Sequence, residues 1–430
     1  MSRARLTRSS GFSGESMRKT LLGTTALVAG GLLAAPAMAA DPIKLELRGY
    51  FQFMIVVGHQ DRDVVGTTGI SYQPENFRYE GEIWFTGTTK LDNGSSVGVR
   101  IELEGWNNVG SNPPNTGVSG QIDETYLFAF GDWGRIEFGG TDAASFKMQY
   151  SSPSALIGWG FNDHNFTYLG IGFLGANQAG RGANILGTGA AHNVGFSADA
   201  NKLTYFTPRF AGFQIGFSYT PAFSTTGGLG TCSSRGAGGN FFASCPNNAN
   251  MWRAGIDVAA NYLNKFGDVS VALYGGYATA GFDRGTISTV PTLATPVPAQ
   301  NTAGRWKTWA AGAQIGFSGF TLGGGLGRDN QGLRGSNATR WYTASLMYET
   351  GPWQVSAGWW GGRNNDGNAV AGTQNAPGKD KLDYFEIGTN YALSPGIKLT
   401  AGVFYYMGSG QSKSEKADAW AVVFGTALTF

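Results

Sequence analysis

The stretch Ala419–Phe430, AWAVVFGTALTF, decides the fold class of this chain. Every second residue belongs to one largely apolar parity, which consists of Trp420, Val422, Phe424, Thr426, Leu428 and Phe430. A period of two is typical of a β-strand with one apolar face. Because no charged residue follows Asp418, we expect this face to contact lipid, as in a membrane β-strand.

Segments of about ten residues with the same alternation recur along the chain, and that is the length a tilted strand needs to cross a membrane. In the first such segment, 44–53, Leu45 and Leu47 alternate with Glu46 and Arg48. Similar segments begin at Phe77 and at Val97, and they place Arg78 and Arg100 on the charged parity. A face with this many charges cannot contact lipid, so we expect it to line a water-filled interior.

Tight turns and long loops alternate between these segments. Residues that favour turn geometry mark seven tight turns, at 92–94, 132–134, 208–212, 266–268, 318–319, 351–352 and 394–396. Eight longer segments lie between the turns, near 59–75, 109–119, 141–199, 222–250, 281–304, 329–337, 364–379 and 409–416. The count predicts an all-β fold, a sixteen-stranded antiparallel transmembrane β-barrel with a lumen wide enough for water.

The first forty residues have the pattern of an export signal. A basic start at Arg18 and Lys19 precedes an apolar run, and the small residues Ala37, Met38 and Ala39 fit a cleavage site. A transmembrane anchor is the alternative, but the run is short and Pro36 interrupts it. We therefore interpret 1–40 as a leader, with 1–16 as an overlong translation start, and 41–430 as the barrel domain.

The basic balance of the chain belongs to this leader. Five of the 31 Lys and Arg residues and one of the 29 Asp and Glu residues lie within it, so the rest carries two more acidic than basic side chains. A nearly neutral chain gives no reason to expect nucleic acid as a partner.

Two cysteines, Cys232 and Cys245, lie in a segment rich in Gly, Ser and Asn. Export to an oxidising compartment favours a disulfide between them, worth about 3 kcal/mol on the loop-entropy estimate. A zinc pair is the weaker alternative, because no histidine or further cysteine lies nearby.

The longest loop, 141–199, is the candidate functional segment. It carries Asp142, Lys147 and Asp163 among many glycines and aromatic residues. A long, moderately apolar loop needs something to pack against, so we expect it to fold into the lumen and narrow the pore. The inward basic residues that would face it are Arg48, Arg78 and Arg100, with Arg135 and Lys202 as weaker candidates. Alternatively, these charges pair with glutamates such as Glu137 on a solvated wall.

Enzyme signatures are weak. The stretch 170–175 matches a dinucleotide pattern, but no strand-to-helix unit surrounds it. Asp163 and His164 form half of a catalytic dyad at most, and a solvated loop histidine is the simpler interpretation. We therefore expect no enzyme, no catalytic residues, no cofactor and no bound metal.

Four short motifs and Phe430 together resemble Gram-negative outer-membrane porins, with general porins of the alphaproteobacterial type the most similar. The motifs are RGYF at 48–51, GRIEFGG at 134–140, KLTYFTP at 202–208 and FAGF at 210–213. The resemblance implies a homotrimer of sixteen-stranded barrels in outer-membrane lipid, with the third loop at the pore constriction. Asp142 and Asp163 are then the candidate acidic constriction residues, and Arg48, Arg78 and Arg100 occupy strands like those of the family's basic wall. A terminal aromatic in this family is an assembly signal, which implies a role for Phe430 with the barrel-assembly machinery.

Passive diffusion of ions and small hydrophilic solutes is the leading functional hypothesis. A substrate-selective channel is the first alternative, with Trp159, Phe161 and Tyr168 as a sugar-stacking track. An outer-membrane adhesin or enzyme is the alternative of a different class, because the long loops should face outward.

Overall fold

The computed structural model describes residues 42–60, 74–104, 122–156, 160, 197, 199–223, 251–283, 304–330, 332, 338–366, 378–409 and 416–430. The first eight strands are β1 (Lys44–Gln60), β2 (Glu75–Lys90), β3 (Ser96–Glu104), β4 (Ile122–Gly131), β5 (Gly134–Gly140), β6 (Asn201–Phe206), β7 (Phe213–Phe223) and β8 (Met251–Phe266). The others are β9 (Val269–Asp283), β10 (Trp306–Phe317), β11 (Phe320–Asp329), β12 (Ala338–Thr350), β13 (Trp353–Asp366), β14 (Gly378–Ser394), β15 (Ile397–Ser409) and β16 (Lys416–Thr429). One short helix, α1 (Ala144–Lys147), follows β5.

Each strand pairs antiparallel with its sequence neighbours, and β1 pairs with β16, so the sheet is a closed barrel of sixteen strands. This confirms the predicted fold class. The seven predicted tight turns all lie between consecutive strands. Gly319 and Gly396 have φ of 81° and 78°, which only glycine adopts without strain. Within the described residues, no helix is both long enough and apolar enough to cross a membrane.

The closing strand pair joins the two ends of the barrel sequence. Tyr50 to Gln60 on β1 pair with Ala419 to Thr429 on β16, in unbroken register. Phe430 extends the pairing by one residue, because its backbone and that of Gly49 exchange two hydrogen bonds of 2.9 and 3.0 Å. Closure leaves no unpaired strand edge, which hydrocarbon would not tolerate.

The two faces of the wall differ in chemistry. On most strands the exposed parity is apolar, as with Leu322 on β11, Leu346 on β12 and Ile387 on β14. The opposite parity is buried and rich in polar residues, for example Ser218, Asp257 and Asn390. In a closed barrel the apolar parity is the outer one, so the polar parity lines the interior.

Both parities of strand β4 carry apolar residues, so the sequence pattern alone does not show which parity faces inward. Its even parity contains Glu124, Tyr126 and Phe128, which are buried, while Leu127 on the odd parity is 55% exposed. The aromatic parity therefore faces inward, and the carboxylate within it does not lie on the lipid-facing side. Glu124 accepts hydrogen bonds of 2.9 Å from the Thr141 hydroxyl and the Asp142 backbone N–H. These contacts with the loop after β5 explain why a carboxylate lies on this aromatic, inward-facing parity.

Candidate functional site: a segment along the inner wall

The chain after β5 follows the inside of the barrel. The segment Thr141–Leu156, here called the inner segment, contacts inward side chains from β7 to β15. It is the longest continuous described stretch of the long third loop. A segment held to the wall by so many separate strands has a fixed path, and it occupies part of the space inside the barrel.

The first anchor lies around α1. The Ala144 N–H donates to the Ser218 hydroxyl on β7 at 2.9 Å. The Ser145 N–H donates to Asp257 on β8 at 2.8 Å, and the Ser145 hydroxyl donates to the other carboxylate oxygen. Tyr274 on β9 donates to the Ser145 carbonyl at 2.8 Å. A four-residue helix has no stability of its own, so these side chains hold it in place.

The middle of the inner segment has no regular secondary structure, and its backbone carbonyls accept hydrogen bonds from side chains of the wall. Asn261 on β8 donates to the Met148 carbonyl at 3.0 Å, and Gln314 on β10 donates to the Ser151 carbonyl at 2.7 Å. Ser345 on β12 donates to the Pro153 carbonyl at 2.6 Å. Because Pro153 has no N–H, its carbonyl is the only backbone group it offers.

The last anchor lies on β13, β14 and β15. The Ala155 N–H donates to the Ser356 hydroxyl at 2.8 Å, and Asn390 donates to the Ala155 carbonyl at 2.8 Å. The Ser154 hydroxyl donates to Glu386. Leu156 is 1% exposed, which is worth about 2 kcal/mol for a buried leucine side chain.

Glycines on the inner face allow the inner segment to approach the wall. A Cβ added at Gly312 on β10 would lie 2.0 Å from the Tyr150 carbonyl oxygen. One at Gly323 on β11 would lie 2.6 Å from the Ser151 oxygen, and one at Gly402 would lie 2.7 Å from a Leu156 methyl group. Any side chain at these positions would push the segment into the lumen.

The predicted basic wall consists largely of ion pairs. Arg48 contacts Glu46 at 2.6 Å and is 64% exposed. Arg100 pairs with Glu102 and lies 4.5 Å from the Trp84 ring, while Arg135 pairs with Glu137 at 2.7 Å. In each pair the glutamate is two residues away on the same strand, where the period of two brings side chains to one face. Arg78, opposite Met54, is half-buried.

Glu137 connects the wall to the inner segment. Its second carboxylate oxygen accepts from the Lys147 ammonium at 2.8 Å, so one 3%-exposed carboxylate serves two cations. Lys147 also donates to the Thr141 hydroxyl at 2.6 Å and lies 4.7 Å from the Tyr126 ring centroid. Burial lowers the pKa of Lys147, but the nearby carboxylates, Glu137 foremost, outweigh it and raise the net pKa. Lys147 is therefore charged, and it lies beside Arg135 rather than opposite it.

Asp142 lies in a carboxylate cluster at the start of the inner segment. Oxygens of Glu124, Asp142 and Asp199 lie within 4.8 Å of one another. Burial raises the pKa of Asp142 well above its usual range, and Asp199 and Glu124 raise it further. The pKa of Asp199 is raised to about 7, chiefly by burial and then by repulsion from Asp123 and Glu124.

Lys202 supplies the cluster's nearby positive charge. It is 2% exposed and donates to the carbonyls of Thr141 and Ala200, the latter at 2.7 Å. Lys202 shares the inward parity of β6 with Thr204, and the two backbone carbonyls hold its buried ammonium against the start of the inner segment. A second cluster of three half-buried carboxylates consists of Glu82, Glu104 and Asp123. Both groups offer oxygen donors only, the set that suits hard cations such as Ca²⁺.

Several predicted residues fall outside the part of the chain that the structure describes. They are Asp163, His164, Trp159, Phe161, Tyr168, Cys232 and Cys245, together with the leader and the 170–175 stretch. Their roles remain predictions.

The wall residues that anchor the inner segment were not predicted as functional. Ser218, Asp257, Asn261, Ser345 and Asn390 are polar residues on inward parities, and most of their neighbours on the outward parity are apolar. That alternation marks them as inward-facing. Their partners lie about 74 to 235 residues away in the chain, and no local pattern reports such contacts.

Aromatic side chains also cluster on the inner face of β13 to β15. Trp360, Tyr384 and Phe404 are fully buried, and the Tyr384 and Phe404 rings stack at 5.4 Å. A sugar-binding track needs exposed ring faces, and these rings are covered by protein.

Comparison with known proteins gives both family and fold. A sequence profile described as Gram-negative porin matches residues 23–411. Curated relatives include uncharacterized proteins of Rickettsia felis and Rickettsia prowazekii, 23% and 22% identical over 204 residues, or 45% of this chain. The chain spans 44% of the length of each of these relatives.

Solved structures match most of the chain. An anion-selective porin from Comamonas acidovorans has a TM-score of 0.54 at 16% identity and covers 90% of this chain and all of its own. A loop L8 deletion variant of OmpT, an outer membrane protein of Vibrio cholerae, has a TM-score of 0.52 at 12% identity and covers 91% of this chain and all of its own. At these identities the structures support the barrel fold alone, whereas the profile covers most of the sequence. The chain belongs to the Gram-negative porin family.

Proposed function

We propose that this chain forms an outer-membrane channel for passive diffusion of ions and small hydrophilic solutes. One observation carries the proposal: a closed sixteen-stranded barrel has a polar inner face, and the inner segment lies against that face from β7 to β15. Barrels of this size enclose an aqueous lumen, unlike eight-stranded barrels filled by their own side chains. A segment held along the wall narrows such a lumen from one side, and passive diffusion requires that a path for water remains beside it.

The ion pairs on the inner wall support a channel with a weak transverse electric field. Arg48, Arg100 and Arg135 each have a carboxylate partner on their own strand. Compensated charges create little long-range potential, and salt screens what remains within about 8 Å. The described strands therefore favour discrimination by solute size over discrimination by charge.

Liposome swelling tests this function. Folded protein in liposomes should admit small sugars at rates that fall steadily with solute mass. Equal exclusion of all sugars by folded protein would contradict passive diffusion. Saturable uptake of one sugar would instead favour the substrate-selective channel.

Membership of the porin family also supports a trimeric assembly and a location in the outer membrane. Our proposal places a homotrimer in the outer membrane, after export and removal of residues 1–40. Heating in detergent should convert a compact trimer band to a monomer band, and a single band at all temperatures would contradict the trimer. Mass spectrometry of the mature chain should give an N-terminus near Asp41.

Constriction roles for Arg48, Arg78, Arg100, Arg135, Asp142, Lys147 and Asp163 belong to the same proposal. The geometry favours Arg135 and Lys147, because Glu137 ties the wall to the inner segment at that point. Arg48, paired with Glu46 near the short-turn end of β1, contacts no residue of the inner segment among those described.

A further inference from the structure

Four cations lie side by side on the outer face of the barrel. In the strand register, Arg328 on β11 lies opposite Arg340 on β12, Arg340 lies opposite Arg363 on β13, and Arg363 lies opposite Lys381 on β14. We call these residues the cation row. Directly opposite residues in antiparallel strands have Cβ atoms about 5 Å apart, so the row is a continuous strip of positive charge.

The cation row shares the parity of the lipid-facing residues. Leu326 and Tyr342, two residues from Arg328 and Arg340, are 43% and 40% exposed. Trp341 and Leu382, on the opposite parity, are buried at 4% and 2% exposure. The row therefore projects outward from the wall and not into the lumen.

Nearby carboxylates only partly balance the row. Asp383 contacts Arg363 through both oxygens, at 2.8 and 3.0 Å, and lies 4.0 Å from Lys381. Arg328 and Arg340 are both exposed. Within the described ranges, neither of these two has a carboxylate at ion-pair distance. Like charges directly opposite each other destabilise a sheet, so the row is costly unless an anion joins it.

The height of the cation row indicates what that anion is. Phe320 and Tyr348 lie opposite each other at the short-turn end, with ring centroids 4.4 Å apart. Arg328 is eight residues further along β11, roughly 26 Å along the strand and about 20 Å along the axis of a tilted barrel. The apolar band of an outer-membrane barrel is about 25 Å tall, so the row lies about 5 Å below its upper edge, within reach of the lipid headgroups for long arginine and lysine side chains on the long-loop side.

We propose that the cation row on β11 to β14 binds phosphate groups of anionic membrane lipid on the long-loop side of the barrel. Planar guanidinium groups match phosphate oxygens through pairs of N–H donors, and adjacent arginines suit a headgroup with more than one phosphate. The apolar side chains below the row, such as Leu326 and Phe385, would contact the acyl chains. This inference rests on the proposed membrane placement but not on the channel activity.

Native mass spectrometry of the detergent-purified, delipidated protein tests the site. The probes are bis-phosphorylated lipid A, the same glycolipid without phosphates, and inorganic phosphate. The test variant carries Arg328→Gln, Arg340→Gln and Lys381→Gln, and it keeps Arg363, which also donates to the Leu382 carbonyl. The matched control carries Lys90→Gln, Lys265→Gln and Lys398→Gln, which removes three exposed cations near the short turns.

The wild type and the matched control should retain bis-phosphorylated lipid A, and the test variant should bind it at least tenfold more weakly, since each cation near anionic lipid contributes roughly a fivefold effect. The phosphate-free glycolipid should not be retained. Equal retention by the test variant, or retention without phosphates, would overturn the proposal. Binding of inorganic phosphate as strongly as lipid A would overturn the lipid assignment.

A second measurement separates this inference from the proposed function. Conductance of the test variant in a planar bilayer should equal that of the wild type, because the row lies outside the lumen. A variant that conducts normally and still binds lipid A contradicts the lipid site alone. If the cation row instead held the acidic surface of a second copy, the test variant would lose its trimer band, and the lipid proposal would be wrong.

Discussion

Glu137 has the most consequential contacts among the predicted charged residues. Its buried carboxylate holds Arg135 on β5 and Lys147 on the inner segment at once. The period of two places Arg135 and Glu137 on one face, so their proximity could be predicted from the sequence. The position of Lys147 could not, because it depends on the path of the chain after Gly140.

Glu137→Gln should leave two cations beside the lumen without their shared anion. We expect the reversal potential in a KCl gradient to shift toward anions, and the folded state to lose about 2 kcal/mol. The heat-induced band shift measures the stability. Glu46→Gln, which breaks an exposed pair, should cost less than about 1 kcal/mol. An unchanged reversal potential in Glu137→Gln would place this carboxylate away from the ion path.

The cluster at Asp142 and Asp199 should make the folded state sensitive to pH. The pKa of Asp199 in the folded state is about 7, above its ordinary 3.8, so its stabilising contribution is full below 3.8 and is lost as pH rises through about 7. The temperature of the heat-induced band shift should therefore rise as the pH falls from 8 to 5. Asp199→Asn should reduce this dependence, whereas Asp92→Asn, in the exposed turn after β2, should not. A pH dependence unchanged in Asp199→Asn would contradict the assignment.

At the scale of elements, the strands and tight turns could be predicted, but the strands against which the inner segment lies could not. Alternation and turn residues are local properties, and they mark the strands well. The position of the inner segment against the wall depends on residues such as Gly312 and Ser345. These residues contact the segment only after the barrel closes. Length and apolar content indicated that the loop packs against something, without indicating which strands.

Gly312→Ala should displace the inner segment. The added Cβ would lie 2.0 Å from the Tyr150 carbonyl oxygen, and overpacking of this kind costs about 1 to 3 kcal/mol. We expect a lower temperature for the heat-induced band shift and a changed single-channel conductance. Gly275→Ala is the matched control, because a Cβ there has no atom within 4 Å. Equal effects of the two changes would mean that the close approach at Gly312 is unimportant.

At the scale of the whole molecule, closure of the barrel depends on β1 and β16. The alternation of Ala419–Phe430 predicts a lipid-facing strand, and closure of a barrel requires it to pair with the first alternating segment, near 44–53. The pairing instead runs from Tyr50 to Gln60, with Phe430 opposite Gly49, because the ladder is shifted toward the long-loop side. Register between the first and last strands is set by all the intervening pairs, so local sequence cannot fix it.

Phe430→Ala should reduce the amount of folded protein in the membrane more than it reduces the conductance of channels that still form. The phenyl ring lies against Gly49, where a Cβ would be 2.8 Å from the ring. Phe430→Tyr should assemble normally, because it keeps the aromatic ring. Quantitative blotting of outer-membrane fractions measures assembly. Wild-type levels of Phe430→Ala would remove the assembly role.

As a channel, this barrel must enclose a continuous aqueous path past the inner segment. Planar-bilayer recording of the folded, purified protein tests it most directly. We expect stepwise conductance increments that scale with the conductivity of the bulk electrolyte, as a water-filled pore requires. Folded protein that inserts into the bilayer and passes no current would contradict the claim.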